Sequence, residues 1–225
     1  MPISKPNHNP MQADLPSWNG IALLTIDFQN DFVEPEGSAY VDGTDRIVPT
    51  VQRLVQCFRS RQLPIFHAIR LYLEDGSNAE HCRRTLVETK SVVRPGTHGS
   101  KLIGELGQAA QSISTDILLA GEQVQVGSLE WVFYKPRWSA FYKTGFEQWL
   151  TSLNASTLVV AGCNFPNCPT ATLFDASARD FHTILANDAV SNLSQEGKRW
   201  CQGVGTALFS GAEIEFRIRA AKASE

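Results

Sequence analysis

Three residues that could act together in catalysis each follow a short apolar segment of this sequence. Asp27 comes directly after IALLTI and Lys135 directly after WVFY, whereas Cys168 follows TLVVA through the turn GCNFPN. In open α/β sheets the ligand lies beyond the carboxyl ends of the strands, so these side chains are expected at one edge of a sheet. A carboxylate, an ammonium and a thiol at that edge form a usable set of acid, base and nucleophile.

Cys168 is the most informative of the three, because GCNFPNCPTAT is typical of a strand that passes through a turn into a helix. Pro169 suits the first helical turn, where its missing N–H has no helical partner. A sulfur at this helix N-terminus is favoured as thiolate by the unpaired N–H groups and the helix dipole. The same groups could hold a developing oxyanion. Taken alone, a cysteine here is also typical of a small buried apolar residue.

Asp27 and Lys135 have ordinary structural interpretations when each is taken alone. Aspartate is common where a strand ends in a turn, and lysine is common on solvated surfaces. Lys135, however, lies within the aromatic segment WVFYKPRW, where an ammonium without a partner would be costly to bury. Asp27 is therefore the expected partner of Lys135.

Alternating apolar segments and helical patterns predict an α/β domain with a mainly parallel sheet between helices. After the helix near 99–110 we expect an irregular excursion that forms a lid or a subunit contact, and the path of residues 86–130 as a whole stays open. Strands are predicted at 21–26, 63–71, 131–134, 157–161, 182–186 and 213–218. Helices are predicted from Thr44, near 80–90, 99–110 and 143–153, from Cys168, and from Ser194 with Trp200, Val204, Ala207 and Leu208 on its buried face.

Size and composition favour one domain that acts on a small molecule. The chain has 225 residues, 43% of them hydrophobic, and we assign residues 1–19 to an N-terminal tail and 20–225 to the domain. A net charge of -3 gives no electrostatic reason to expect a nucleic acid or membrane partner. Five irregularly spaced cysteines indicate reduced thiols and a cytoplasmic location. We find neither a signal-peptide core nor an apolar segment of about twenty residues that could cross a bilayer.

The three motifs together resemble the isochorismatase-like cysteine hydrolases, a superfamily that includes nicotinamidases, N-carbamoylsarcosine amidohydrolases and isochorismatases. The resemblance rests on LLTIDFQNDF, YKPRWSAF and VVAGCNFPNCPTATLFDASARDF followed by NDAVS, and it covers 21–216. It implies a three-layer α-β-α, Rossmann-like fold with a six-stranded mainly parallel sheet, and a homo-oligomer, either dimer or tetramer. It also implies that Asp27, Lys135 and Cys168 are the catalytic triad.

The resemblance further implies how such a site works on a small-molecule amide. Asp27 would accept the thiol proton, Cys168 would attack the carbonyl carbon, and water would hydrolyse the resulting thioester. Lys135 would keep Asp27 ionised, because a nearby positive charge lowers the pKa of a carboxylate. A cis peptide bond between Cys163 and Asn164 would turn the Asn164 N–H toward the same oxyanion as the Cys168 N–H.

A metal site is not predicted, although nicotinamidases of this superfamily bind a metal through an Asp-x-His pair after the second strand. The corresponding segment here reads HAIRLYLEDGSN and has no such pair. His67, His81 and His98 are widely spaced and are typical of ordinary surface or core positions. We therefore predict no metal and no cofactor, and nicotinamide is disfavoured as the substrate.

Substrate-binding residues are predicted from the aromatic side chains near these motifs. Many relatives have Thr three residues before the cysteine, where this chain has Phe165 followed by Pro166, so the polarity of the pocket is expected to differ. Arg83 or Arg84 could hold an anionic group of the substrate, and a salt-bridged helix face explains them equally well. The predicted substrate-binding residues are Phe32, Tyr72, Trp138, Phe141 and Phe165.

Other interpretations stay open beside the amide hydrolase. A relative that cleaves a non-amide substrate, such as the vinyl ether of isochorismate, would not need the thiol of Cys168. A catalytically silent α/β interaction protein would keep the sheet and lose the reactive cysteine. A dinucleotide-binding oxidoreductase is disfavoured, because DFQNDF and not a Gly-rich turn follows the first strand. Among amides, a ureido compound, a small carboxamide and a lactam are equally compatible with the sequence.

Overall fold

One seven-stranded sheet runs through the computed structural model, which describes residues 16–107 and 113–221. Residues 1–15, most of the assigned tail, lie outside the described residues. All neighbouring strands are parallel except the first pair, which is antiparallel. In spatial order the strands are β3 (Gln123–Gly127), β4 (Glu130–Tyr134), β2 (Ile65–Ile69), β1 (Ile21–Ile26), β5 (Thr157–Gly162), β6 (His182–Val190) and β7 (Ala207–Phe209).

The central strands are buried on both faces, as expected of a parallel sheet covered by helices. Every residue of β1 and of β5 is buried. Successive side chains of a strand point to opposite faces, so Ile21 and Leu23 enter one apolar layer while Ala22 and Leu24 enter the other. The continuous apolar segments of the sequence thus reflect two-sided burial.

Helices cover both faces and complete the predicted three-layer α-β-α arrangement. Apolar residues of α2 and α8 fill the layer on one face, and those of α5, α6 and α7 fill the layer on the other. The helices are α1 (Asn30–Val33), α2 (Thr44–Ser60), α3 (Arg84–Thr89), α4 (Thr115–Leu119), α5 (Phe146–Ser152), α6 (Cys168–Ser177), α7 (Gln195–Gly203) and α8 (Gly211–Ala221), with 3₁₀ turns at His81–Arg83 and Gly104–Leu106.

Two strand predictions were wrong near the ends of the sheet. The sequence predicted six strands and placed the last at 213–218, but those residues lie in α8. Ile214 and Ile218 are buried, whereas Phe216 between them is exposed. The alternating apolar residues of EIEFRIR suggested a strand, but the two buried residues have the i, i+4 spacing of one helix face. Two strands were not predicted, β3 and β7, which form the two edges of the sheet among the described residues.

Two helix predictions also differ from the structure. The helix predicted from Ser194 ends at Gly203, so Ala207 and Leu208, assigned to its buried face, belong to β7 instead. Of the helix predicted at 99–110, residues 99–107 are described. Their only helical structure is the 3₁₀ turn Gly104–Leu106. Several glycines interrupt helical hydrogen bonding in this segment, since glycine disfavours helix.

A line of polar side chains crosses the apolar layer beneath β1, β2 and β4. Arg59 binds the Glu130 carboxylate through two 2.7 Å hydrogen bonds, and His67 Nε2 lies 2.8 Å from Glu130 Oε1. His67 Nδ1 lies 2.7 Å from Thr25 Oγ1. Burial opposes the ionised carboxylate, but hydrogen bonds from Arg59 and His67 outweigh it and lower the pKa of Glu130 to about 2. This network links three strands to α2.

We expect Glu130→Gln to lower the free energy of unfolding at pH 7 by about 2 kcal/mol, because hydrogen bonds to a charged acceptor are lost. The folded-state pKa of Glu130 lies below its ordinary value of 4.5. The stabilisation is therefore present above pH 4.5 and is lost as the pH falls toward 2. Urea unfolding at a series of pH values should show the two proteins converging in acid.

Glu122→Gln, at an exposed carboxylate, serves as the control and should have little effect at any pH. A constant difference between the wild type and Glu130→Gln from pH 7 to pH 3 would contradict the proposed ionic role of Glu130.

Candidate active site

Asp27, Lys135 and Cys168 meet at the carboxyl edge of the sheet. Asp27 follows β1, Lys135 follows β4, and Cys168 begins α6 after β5. Lys135 Nζ lies 3.0 Å from Asp27 Oδ2 and 3.2 Å from Cys168 Sγ. The ammonium therefore contacts both the carboxylate and the thiol, and the three residue types singled out in the sequence form one cluster.

Backbone hydrogen bonds fix the two charged members of this cluster. The N–H of Asp27 donates to Ala68 O at 2.9 Å, and the N–H of Lys135 donates to Ile69 O at 3.0 Å, so β2 aligns both strand ends. Asp27 adopts a left-handed conformation with φ 58°, which Asp tolerates better than most residues. Lys135 is fully buried and Asp27 is 4% exposed. Both charges are thus held away from bulk water.

The electrostatics of the cluster favour an ion pair beside a neutral thiol. Burial opposes the ammonium, but the carboxylate of Asp27 favours it, and the pKa of Lys135 is raised. Burial, followed by the charge of Asp27, raises the pKa of Cys168, and Lys135 offsets these effects only in part. The expectation of a resting thiolate at the helix N-terminus is therefore wrong, because a thiolate would add a second negative charge to a desolvated cluster.

A hydrogen-bond acceptor is left over on Asp27. Its Oδ2 contacts Lys135, whereas its buried Oδ1 has no hydrogen-bond partner within the described residues. An unsatisfied buried oxygen is costly in a folded protein. At this position it can receive a proton from a neighbouring donor.

The turn before α6 presents backbone N–H groups beside the sulfur. The peptide bond between Cys163 and Asn164 is cis, as the family resemblance implied. In the part of the chain that the structure describes, the N–H groups of Asn164 and Cys168 donate to no carbonyl or side chain. Thr172 Oγ1 donates to Cys168 O at 2.8 Å and closes the first turn of α6. The two free donors are available to an oxygen of a bound molecule.

A cavity of about 240 Å³ lies above this cluster. Of the predicted substrate-binding residues, Phe32, Tyr72 and Trp138 line it. The described residues that line the cavity are Asp27, Phe32, Ser38, Ala39, Tyr40, Val41, Arg70, Tyr72, Arg83, Leu86, Lys90, Val92, Lys135, Trp138, Cys163, Asn164, Asn167 and Cys168.

Phe141 and Phe165 do not line the cavity, contrary to the prediction. Both are buried in the apolar layer between the sheet and α5, α6 and α7. The ring of Phe141 packs 5.0 Å from that of Phe146 and 5.9 Å from that of Phe181. Phe165 packs against Gly197 of α7. The prediction rested on the closeness of Phe141 and Phe165 to the catalytic motifs in sequence. Their side chains enter the apolar layer and not the cavity.

Two buried polar residues after β1 anchor the walls of the cavity, and sequence reasoning missed them. Gln29 accepts from the Arg70 N–H and donates to Arg70 O and Ser100 O at 2.7–2.8 Å. Asp31 accepts from the N–H groups of Ser38 and Val93 at 3.2 and 2.6 Å. The available signal was the polar sequence QND two residues after an apolar strand.

Gly99→Ala tests this anchoring, because a Cβ at Gly99 would overlap the Asp31 carboxylate. We expect a loss of about 1–3 kcal/mol in the free energy of unfolding, typical of overpacking, measured by urea denaturation. Gly203→Ala is the matched control, since a Cβ there meets nothing within 4 Å. Equal stability of the two variants would show that Asp31 and its loops are free to move apart.

Histidines and acidic residues do not converge in the described parts of the chain. Among residues 16–107 and 113–221 there is no group of three His, Cys, Asp or Glu side chains that could hold a metal ion. His67 contacts Thr25 and Glu130, and His98 contacts Glu34. Within the same ranges, no helix is both long and apolar enough to cross a bilayer. The absence of metal and cofactor stays a prediction.

Comparison with known proteins identifies the family. The Isochorismatase domain model matches residues 21–117 and 120–201, which is most of the chain. A crystal structure of an isochorismatase family protein from Desulfovibrio vulgaris superposes with a TM-score of 0.75 at 28% identity, covering 89% of this chain and 98% of that one. The chain therefore belongs to the isochorismatase family, and its seven-stranded α/β fold is the fold of those hydrolases.

Individual relatives differ in what their names report. A probable inactive nicotinamidase of Arabidopsis thaliana is 32% identical over 80% of this chain and 84% of its own length. The N-carbamoylsarcosine amidase of an Arthrobacter species is 25% identical over 77% of this chain, but only 60% of its own length is matched. Family membership thus includes both an amide hydrolase and a protein regarded as inactive.

Proposed function

We propose that this chain is a cysteine hydrolase that cleaves a C–N bond of a small amide, ureido compound or lactam. Cys168 is the nucleophile, Asp27 the proton carrier, and Lys135 the charge that holds both in place. The observation that carries this proposal is the pair of contacts from Lys135 Nζ, 3.0 Å to Asp27 Oδ2 and 3.2 Å to Cys168 Sγ, at the floor of a cavity.

Thioester formation follows from the protonation states of the cluster. Because the pKa of Cys168 is raised, its proton must leave as the sulfur attacks the carbonyl carbon, and the carboxylate of Asp27 receives it. The carbonyl oxygen becomes an oxyanion that the N–H groups of Asn164 and Cys168 stabilise. Asp27 then gives the proton to the nitrogen as the C–N bond breaks. Ammonia or an amine leaves from an amide or ureido compound, whereas the amino group formed from a lactam stays on the acyl chain.

Water completes the cycle. Asp27, again ionised, accepts a proton from a water molecule whose oxygen attacks the thioester carbon. The C–S bond breaks and the proton returns to the sulfur of Cys168. An amide or lactam gives a carboxylic acid, and a ureido compound gives a carbamic acid that decomposes to CO2 and an amine or ammonia. Lys135 keeps its charge throughout, since its pKa is raised.

The rival proposal is a silent member of the family, which the name of the Arabidopsis relative favours. Against it, this chain retains all three side chains, with Lys135 in contact with both Asp27 and Cys168 and with Asp27 Oδ1 unpaired among the described residues. The experiment is a panel of primary carboxamides, ureido acids and lactams, scored by released ammonia or amine. Intact-mass analysis of rapidly quenched samples should detect an acyl adduct on Cys168.

Turnover together with this adduct is the expected result. No release from any compound, combined with no adduct, would favour the silent protein. Hydrolysis without an adduct, and with full activity after loss of the thiol, would refute Cys168 as the nucleophile. We also propose a cytoplasmic homo-oligomer of two or four chains, which light scattering on the purified full chain would test.

A further inference from the structure

The cavity contains more positive than negative charge. Four cations line it, and two of them are balanced: Lys135 pairs with Asp27, and Arg70 pairs with Glu80 at 3.3 Å. Arg83 and Lys90 form no ion pair with any carboxylate in residues 16–107 or 113–221. Within these ranges, two positive charges at the cavity therefore have no compensating carboxylate.

These two cations flank one short helix. Arg83 is the residue before α3, Lys90 the residue after it, and Leu86 between them also lines the cavity. Arg83 and Leu86 have the i, i+3 spacing of neighbours on one side of a helix, and Lys90 follows the last turn with extended backbone. Arg84 is exposed, does not line the cavity, and packs toward Gly76. The charge at the cavity thus comes from the two residues that flank α3, and not from every cation of the segment.

Other groups at the cavity are also hydrogen-bond donors without acceptors. Arg70 lines the cavity, and its buried Nε has no partner among the residues described. The N–H groups of Asn164 and Cys168 are likewise unpaired. A molecule rich in acceptor oxygens, with more than the single carbonyl that is cleaved, satisfies such a lining better than a neutral amide does.

We propose that Arg83 and Lys90 bind a carboxylate of the substrate, so that this chain hydrolyses an amido or ureido acid in preference to an uncharged amide. The proposal rests on the proposed function and adds the substrate class. The planar guanidinium of Arg83 matches a carboxylate through two hydrogen bonds. Lys90 adds a second charge at the other, more exposed end of α3. The scissile carbonyl then lies toward Cys168, and the acid lies toward α3.

Pairs of compounds that differ only in this charge provide the test. Succinamic acid and its methyl ester, and ureidoacetic acid and its methyl ester, are compared by ammonia release from the full chain. We expect kcat/KM to be at least tenfold higher for each acid. Arg83→Gln should lower kcat/KM for the acids by about 10- to 100-fold, as expected for hydrogen bonds to a charged group. That loss should lie mainly in KM, with the esters little affected.

Arg84→Gln is the matched control and should leave both members of each pair unchanged. Lys90→Gln should reduce the preference for the acids less than Arg83→Gln, and its effect should fade as NaCl is raised, because an exposed charge is screened. Equal rates for acid and ester in the wild type, or equal effects of Arg83→Gln and Arg84→Gln, would overturn the proposal.

Binding separates this proposal from the proposed function. Calorimetry with the Cys168→Ala variant measures affinity for succinamic acid and for its methyl ester without turnover. Binding of the acid that is lost in Cys168→Ala/Arg83→Gln supports the carboxylate site even where the wild type hydrolyses neither compound. Hydrolysis of both compounds without preference keeps the thiol mechanism and refutes the carboxylate site. Absence of both binding and hydrolysis for both acids refutes the carboxylate site as well.

Discussion

Cys168→Ala is expected to abolish amide hydrolysis and leave the fold unchanged. The substitution removes the sulfur that would form the thioester, and neither Asp27 nor Lys135 can replace it as a nucleophile while they remain paired at 3.0 Å. Loss of the nucleophile in comparable hydrolases lowers kcat by about 10⁴-fold or more. Released ammonia is the measure of activity, and the urea midpoint is the measure of folding.

The matched control is Cys201→Ala, at a buried cysteine of α7 that does not line the cavity. Burial raises the pKa of Cys201 to about 11, so it too is a neutral thiol at pH 7. This variant should lose some stability through the lost volume and keep its activity. An active Cys168→Ala protein would refute the proposed mechanism.

Alkylation of the free protein gives a related expectation. Thiolates react with iodoacetamide and thiols do not, and the pKa of Cys168 is raised. Cys82 is exposed and should therefore be labelled before Cys168 in peptide mapping. Slow labelling of Cys168 is thus compatible with catalysis, because the proton is expected to leave only during attack on the substrate.

The catalytic edge could be predicted because its residues lie next to the strongest signals in the sequence. Asp27 and Lys135 directly follow buried strands, and parallel strands end at a common edge. The strands themselves were recognisable because burial on two faces demands continuous apolar residues. The positions of Asp27 and Lys135 in the sequence were therefore enough to predict that both lie at the carboxyl edge of the sheet.

The protonation state of Cys168 could not be predicted in the same way. A helix N-terminus alone favours the thiolate, and the sequence indicated that environment correctly. Which effect prevails depends on burial and on the distance to Asp27, and both are properties of the assembled site. The raised pKa of Cys168 is accordingly a result of tertiary structure.

The residues that form the outer wall of the cavity could not be predicted from neighbouring residues in the sequence either. Asp31 ties together segments near Ser38 and Val93 that are far apart in sequence. Whether Arg83 or Arg84 lines the cavity depends on how α3 is rotated, and the apolar side chains that pack with Val87 and Val92 set that rotation. Such choices arise only when several elements pack together.

Lys135→Met is expected to destabilise the protein strongly as well as inactivate it. Methionine has a similar length and no charge, so the buried carboxylate of Asp27 would lose its partner. Leaving one member of a buried ion pair uncompensated typically costs 3–5 kcal/mol. Urea unfolding at pH 7 measures this loss, and Lys101→Met, at an exposed lysine, should change it little.

The double variant Asp27→Asn/Lys135→Met separates the electrostatic cause from lost packing. With neither charge present, no buried ion is left unpaired, and much of the stability lost in Lys135→Met should return. Activity should not return, because asparagine cannot accept the thiol proton. If the double variant is as unstable as the sum of the two single variants, Lys135 stabilises the fold through packing alone. Recovery of stability without recovery of hydrolysis would instead show two roles for this ion pair. Its charges stabilise each other in the folded protein, and its carboxylate is needed for proton transfer.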